Sequence, residues 1–141
     1  TDKRMTRFMI TLEQSVRLVW HAFDDMVGGE IYIKKIPSMK VTDIAHSVNP
    51  NARLEFIGIR PGEKLHEEMI SKEDSLYTYA YDDYFKILPN INKWSKSKDR
   101  IKEGEKVEEN FSYTSENNQA WMSAEDLREW INTNKKKIGN I

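Results

Sequence analysis

The sequence predicts an α+β fold, helices with short strands between them, and three observations carry that expectation. Apolar residues recur at helical spacing after Thr11 and again after Ser123, each stretch opened by a residue type that caps helices. The segments between them alternate, or cluster aromatic residues, over strand-like lengths. No GxGxxG or GxxGxxG follows a strand, so the dinucleotide-binding fingerprint of a doubly wound sheet is missing. A chain of 141 residues fits one domain, whose folding removes roughly two-thirds of the unfolded surface from water. Hydrophobic residues make up 38% and charged residues 32%, and four Trp, six Tyr and five Phe supply bulk for a core. The 22 Lys and Arg against 23 Asp and Glu leave a net charge of −1, without the basic excess of a dedicated nucleic-acid binder. The absence of Cys excludes a disulfide framework, a thiolate nucleophile and a zinc ribbon. No apolar run is long enough to span a membrane, and the start TDKRMTRF lacks the apolar core of a signal peptide. A cytoplasmic protein is expected.

Thr11 and Gln14 have capping-box spacing, and Leu12, Val16, Val19, Trp20 and Phe23 follow on one helical face until Gly28 and Gly29 stop it. EIYIKKI alternates and ends at Pro37, which reads as a short strand. Thr42 reads as the N-cap of a short helix, TDIAHSV, that breaks in the turn-forming NPN at 49–51. LEFIGI at 54–59 reads as a second strand, running into a Pro61-Gly62 turn and a helix pattern over 63–70. SLYTYAYDDYFKIL reads as an extended aromatic chain with Tyr77, Tyr79 and Tyr81 on one face. Residues 89–110 show little periodicity and read as an exposed loop or arm within a domain spanning 1–133. Ser123 and Asp126 cap a last helix with Leu127, Trp130 and Ile131 on its apolar face, and 134–141 form a frayed tail.

Complete catalytic apparatus is missing: there is no GxxxxGK[ST] phosphate loop and no GxSxG elbow. His21, His46 and His66 lie 25 and 20 residues apart without metal-ligand spacing, so no metal site is expected. His66, beside Glu67 and Glu68, reads as part of a solvated helix face. The sharpest local feature is Gly58-Ile59-Arg60-Pro61-Gly62-Glu63-Lys64, a strand end, a turn and a helix start. A guanidinium and a helix N-terminus at one point both favour a phosphate, and Glu63 lies close enough to accept hydrogen bonds from sugar hydroxyls. The same residues also make an ordinary turn, with Glu63 favourable at a helix start through the macrodipole. Arg7, just upstream of the first capped helix, is a second anion candidate, or else a solvated charge with its stem on Phe8. The aromatic cluster from Tyr77 to Phe85 reads as core or interface, since no basic stripe accompanies it. Lys93, Lys96, Lys98, Arg100, Lys102 and Lys106, interrupted by Asp99, Glu103 and Glu105, read as solvated charge.

Taken in order, TDKRMTRFMITLEQSV, GGEIYIKKIPSMK, GIRPGEKLHEEMI and NFSYTSENNQAWMSAEDL resemble the C-terminal part of the inverting UDP-N-acetylglucosamine 4,6-dehydratases. These nucleotide-sugar enzymes belong to the extended short-chain dehydrogenase/reductase superfamily and open the route to pseudaminic acid. The likeness runs from about Thr1 to Trp130, and the PSMK and NNQAW segments tilt it away from the capsule-type epimerases. It implies a small substrate-binding domain that lacks the Rossmann half. The full-length enzyme would place NADP and the catalytic Asp, Lys and Tyr on an N-terminal Rossmann domain, and would form a homo-oligomer. There, the sugar is oxidised at C4, water is lost across C5 and C6, and hydride returns to C6 with inversion at C5.

No Tyr here is followed four residues later by Lys, so the YxxxK pair is missing, no catalytic residue is assigned and the chain alone is expected to be inactive. By motif position, Arg7 and Arg60 match the arginines that hold the UDP diphosphate, and Glu63 matches the acidic residue that bonds the ribose hydroxyls. Met5 and Thr6 stand beside the same pocket. The alternatives are a stand-alone non-catalytic UDP-binding or assembly module, or the same domain of a capsule-type UDP-sugar 4-epimerase. A start without Met implies a fragment or a processed chain.

Overall fold

The computed structural model describes residues 2–91 and 96–138. In chain order its elements are β1 (Thr6–Phe8), α1 (Leu12–Asp25), β2 (Ile31–Lys34), β3 (Ser38–Lys40), α2 (Val41–Val48) and β4 (Glu68–Ile70). A 3-10 turn (Asp74–Tyr77) follows, then β5 (Thr78–Ala80), β6 (Tyr84–Ile87), α3 (Lys98–Ile101), β7 (Glu105–Lys106), β8 (Tyr113–Thr114) and α4 (Ala124–Ile138). The mixture of helices and short strands is α+β, and every ladder between named strands is antiparallel. The chain divides into two compact units interleaved in sequence, a division that the reading of one domain over 1–133 did not contain.

The first unit comprises residues 1–9, 37–67 and 115–141. Here β1 pairs with β3, Arg7 opposite Met39, and the Val41 and Met9 N–H groups extend the pairing to the Met5 and Pro37 carbonyls at 3.0 and 2.8 Å. Met5, Met39 and Leu127 are its buried apolar residues. Helices α2 and α4 pack together, with the Ser47 hydroxyl donating to the Asp43 carbonyl at 2.7 Å and reaching the Ala124 carbonyl at 3.1 Å. Ser123 and Asp126 cap α4 reciprocally as expected, the Ser123 Oγ accepting the Asp126 N–H at 3.1 Å and Asp126 Oδ2 accepting the Ser123 N–H at 2.9 Å. With no Gly or Pro before Gly139 to stop it, α4 runs on to Ile138, so residues 134–138 are helical where a frayed tail was expected; 139–141 lie outside the described residues.

Three expectations over residues 42–70 fail for identifiable reasons. The N-cap position of helix α2 is Lys40, which makes no side-chain capping bond, and not Thr42, whose hydroxyl bonds Asp43 at 3.3 Å instead. Residues 54–59 form no strand: no ladder partner meets them among the described residues, and Gly58 at φ +79° breaks an extended run. Residues 63–70 form no helix either. The Leu65 carbonyl, which a helix would give to a later N–H, accepts the Thr6 N–H at 3.1 Å, and Glu68–Ile70 pair as β4 with β8. An eight-residue helix is marginal on its own, so these outside partners decide the conformation.

The second unit comprises residues 10–36 and 68–114, with a four-stranded sheet in the order β2-β6-β5-β7 and the β4-β8 pair. Its core is Ile33, Ile36, Ile70, Phe85, Ile87, Leu88 and Tyr113, with Phe111 against Phe85 at 5.4 Å. The Tyr113 hydroxyl accepts the Ile36 N–H and donates to the Ile36 carbonyl, both at 2.9 Å. Helix α1 opens on the expected capping box: Thr11 Oγ1 accepts the Gln14 N–H at 3.1 Å and Gln14 Oε1 accepts the Thr11 N–H at 3.0 Å. It ends at Asp25, three residues before Gly28, and Gly28 and Gly29 carry positive φ in the turn to β2. Residues 75–88 are not one extended chain but a 3-10 turn and a hairpin, closed by Tyr81 N–H to the Tyr84 carbonyl at 2.9 Å.

The stretch expected as an exposed arm with solvated charge is partly internal, because its cations meet buried acceptors. Arg100 is buried, bonded to the Gly28 carbonyl at 2.6 Å and paired with Glu30. Lys86, fully buried, and Lys102 both reach Asp25, which also accepts the Tyr32 hydroxyl at 2.6 Å. Lys106 lies over the Tyr79 ring at 4.9 Å. Lys93 lies outside the described residues. No helix among the described residues is long and apolar enough to cross a membrane.

Candidate functional site

The junction singled out from sequence is a closed turn in the first unit. Pro61 supplies the fixed φ of the second turn position and Gly62, at φ +81°, the left-handed third, while the Glu63 N–H donates to the Arg60 carbonyl at 3.0 Å. That is the geometry of a type II turn. Side chains close it a second time: Glu63 Oε2 accepts the Arg60 N–H and Oε1 accepts Arg60 Nη2, each at 3.0 Å. The Arg60 hydrogen bond holds the Glu63 carboxyl below its ordinary range, and Glu63 in turn holds the Arg60 guanidinium above its own. The Arg60 side chain is 68% exposed, so the rest of its donor fork faces outward. The helix N-terminus expected beside Arg60 is absent, and any anion here meets a guanidinium without a helix dipole.

Arg7 reaches the same loop from β1. Its Nη1 donates to the Thr6 carbonyl at 2.7 Å and the Leu65 carbonyl at 3.3 Å, Nη2 donates to the Lys64 carbonyl at 3.0 Å, and Nε lies 3.4 Å from Glu67 Oε1. Two of its five donors hold loop carbonyls, one holds the Thr6 carbonyl and Nε faces Glu67, which makes Arg7 a clasp first and leaves little of its fork for a ligand. The fold thus brings Arg7 onto the 60–67 segment that carries Arg60 and Glu63. Met5 and Thr6 are buried, 1% and 4% exposed, and so line no open surface.

Sequence reasoning missed His66. The expectation of a solvated helix face fails because no helix forms there and the ring is held: Nδ1 lies 2.7 Å from Thr6 Oγ1 and Nε2 lies 3.5 Å from Glu116 Oε1. Thr6 Oγ1 also lies 2.7 Å from Ser115 Oγ, which accepts the Glu67 N–H at 2.9 Å. These partners stand about 60 and 50 residues away along the chain, and no local spacing signals them. Among the described residues no group of His, Asp or Glu is arranged to hold a metal ion.

A model of the family described as "Polysaccharide biosynthesis protein" matches residues 1–89, a span that includes Arg7, Arg60 and Glu63. The chain belongs to that family. This polysaccharide biosynthesis protein sequence is 50% identical over 137 residues to the "UDP-N-acetylglucosamine 4,6-dehydratase (inverting)" of Campylobacter jejuni, covering 94% of this chain and 41% of that protein. It is 30% identical over 137 residues to a "UDP-glucose 4-epimerase" of Rickettsia canadensis, covering 94% and 40%. Among solved structures, that of Pen from Bacillus thuringiensis matches with a TM-score of 0.74 at 30% identity, covering 96% of this chain and 39% of the other. The chain spans about two-fifths of the length of the curated relatives it matches.

Proposed function

We propose that this chain is the UDP-sugar-binding portion of an inverting UDP-N-acetylglucosamine 4,6-dehydratase, in which Arg60 holds the diphosphate, Glu63 the ribose hydroxyls, and Arg7 the loop that carries both. The observation that supports it most is the doubly closed Arg60–Glu63 turn, with an outward-facing guanidinium, in a chain half identical to such an enzyme. A diphosphate suits a guanidinium fork, and a carboxylate already fixed by one Arg keeps lone pairs for vicinal hydroxyls. The same likeness supports the substrate-binding domain of an extended short-chain dehydrogenase/reductase that works in the cytoplasm as a homo-oligomer. NADP, when bound, supplies the hydride exchange of such an enzyme. The residues of this chain do not fit that cofactor: no glycine fingerprint opens a helix after a strand, and the ladders are antiparallel. We therefore assign it, with the catalytic residues, to the length of the relatives that this chain does not cover. The contribution of these residues is position: they fix the nucleotide so that the sugar is presented to chemistry performed elsewhere.

Titration calorimetry tests the assignment. UDP is expected to bind saturably and more tightly than UMP, and Arg60→Ala to weaken UDP by about tenfold, the scale of one lost charge-assisted hydrogen bond. Equal UDP affinity in that variant, or no saturable binding by the parent chain, would sink the assignment.

A further inference from the structure

We propose that His66, held as its Nε2–H tautomer by the buried hydroxyls of Thr6 and Ser115, is the positioning residue that sets the Arg60–Glu63 turn for the diphosphate. The inference rests on the UDP-binding reading and adds to it the group that fixes the loop.

The hydrogen-bond polarity follows from burial. Thr6 is 4% exposed and Ser115 is 0% exposed, so each hydroxyl proton needs an acceptor within the protein. Ser115 Oγ accepts the Glu67 N–H at 2.9 Å and lies 2.7 Å from Thr6 Oγ1, itself 2.7 Å from His66 Nδ1. Among the described residues, one direction satisfies both protons: Ser115 donates to Thr6, and Thr6 donates to Nδ1. The reverse direction leaves the Ser115 proton without an acceptor in a site closed to water. With Nδ1 accepting, the ring proton sits on Nε2, 3.5 Å from the Glu116 carboxylate that favours it.

This chain of bonds acts where the loop needs fixing. Among the described residues the Arg60–Glu63 turn is closed by hydrogen bonds within itself, and the attachments of the loop follow it, at residues 64 to 67. Arg7 holds the Lys64 and Leu65 carbonyls, and Ser115 holds the Glu67 N–H. His66 stands between them, its ring turned in to the Thr6 hydroxyl on β1, the strand that carries Arg7. Removing the ring strands the Thr6 proton and takes away the side-chain tie between residue 66 and β1, leaving those that Arg7 and the Thr6 N–H make at Lys64 and Leu65.

Three measurements decide this. The ring nitrogen signals of His66 in 15N NMR should report a proton on Nε2; a proton on Nδ1 overturns the tautomer and with it the relay. In UDP titrations, His66→Ala should weaken binding by about tenfold, and His66→Asn, whose side chain can still meet Thr6 Oγ1, should stay within about threefold of the parent. Thr6→Val, which keeps the shape and removes the hydroxyl, should match His66→Ala, and the double variant should be no worse than either alone, as for two members of one network. Should His66→Ala fail to fold, Thr6→Val carries the test. Parent-like UDP affinity in Thr6→Val or His66→Ala overturns the positioning role and leaves UDP binding intact. If the parent itself does not bind UDP, the nucleotide reading falls, and this proposal, which rests on it, falls with it. Amide exchange then shows separately whether the anchor exists: the Thr6 and Glu63 N–H groups should exchange about tenfold faster in His66→Ala and recover in His66→Asn.

Discussion

A Cβ added at Gly104 would lie 2.5 Å from Tyr81 Cζ and 2.6 Å from its hydroxyl oxygen. The ring has little room to retreat, because it stacks on Tyr84 at 4.4 Å and donates its O–H to the Ile101 carbonyl at 2.6 Å. Gly104→Ala is therefore expected to destabilise the protein by about 1–3 kcal/mol, the usual cost of forcing atoms into a packed site. An unchanged urea midpoint would show that the ring swings aside freely. The same scale separates two arginines that look alike in sequence. Arg60 and Arg7 each precede a turn or a cap in a motif of the right kind, yet Arg60 spends one nitrogen on Glu63 while Arg7 spends most of its fork on backbone carbonyls. Nothing in the local spacing distinguishes them, since two of the three carbonyls that occupy Arg7 lie nearly sixty residues downstream.

Helix α1 is predictable from Thr11 onward because its signals are local: a capping box and a repeating apolar stripe. Thr11→Ala should cost about 1 kcal/mol, seen as a lower thermal midpoint with loss of helical circular dichroism, whereas Thr11→Ser should recover it. No change in the alanine variant would mean that the box contributes nothing measurable. The stripe gives the helix but not its environment: Leu12, Val19, Trp20 and Phe23 remain more than half exposed. What fastens the element is its far end, where Asp25 meets Lys86, Lys102 and the Tyr32 hydroxyl. The 63–70 segment teaches the opposite case. Its helix-like pattern is short, and the bonds to β1 and β8 outweigh a propensity worth only tenths of a kcal/mol per residue.

Acid and alkali should both loosen the molecule as a whole. Burial opposes ionisation of Asp25, but hydrogen bonds from Lys102, Lys86 and Tyr32 outweigh it and hold the carboxyl well below the ordinary range. A folded-state value below the unfolded one adds stability that is fully present above about pH 5 and is lost as the pH falls. Tyr84 is pushed up to about 12 by burial and the nearby Asp25, and burial raises Tyr32 and Tyr81 as well. Their contribution is present below about pH 10 and is lost as the pH rises beyond it. Urea midpoints should form a plateau near neutrality with a decline on each side, and Asp25→Asn should flatten the acid limb. A midpoint that stays level between about pH 5 and pH 3 would refute this balance.

The sequence by itself determined what short-range signals determine: the capped helices α1 and α4, the strand at Ile31–Lys34, the α+β class, the family, and the turn at Pro61-Gly62. Pairing, burial and hydrogen-bond partners were decided by the tertiary structure alone. It kept 63–70 from forming a helix and paired Glu68–Ile70 as a strand, left 54–59 outside any ladder among the described residues, buried Arg100 and Lys86, and joined His66 to Thr6 and, through it, to Ser115. The physical reason is range: caps and periodicity act over a few residues, whereas these outcomes depend on groups brought together from about 40 to about 110 positions apart.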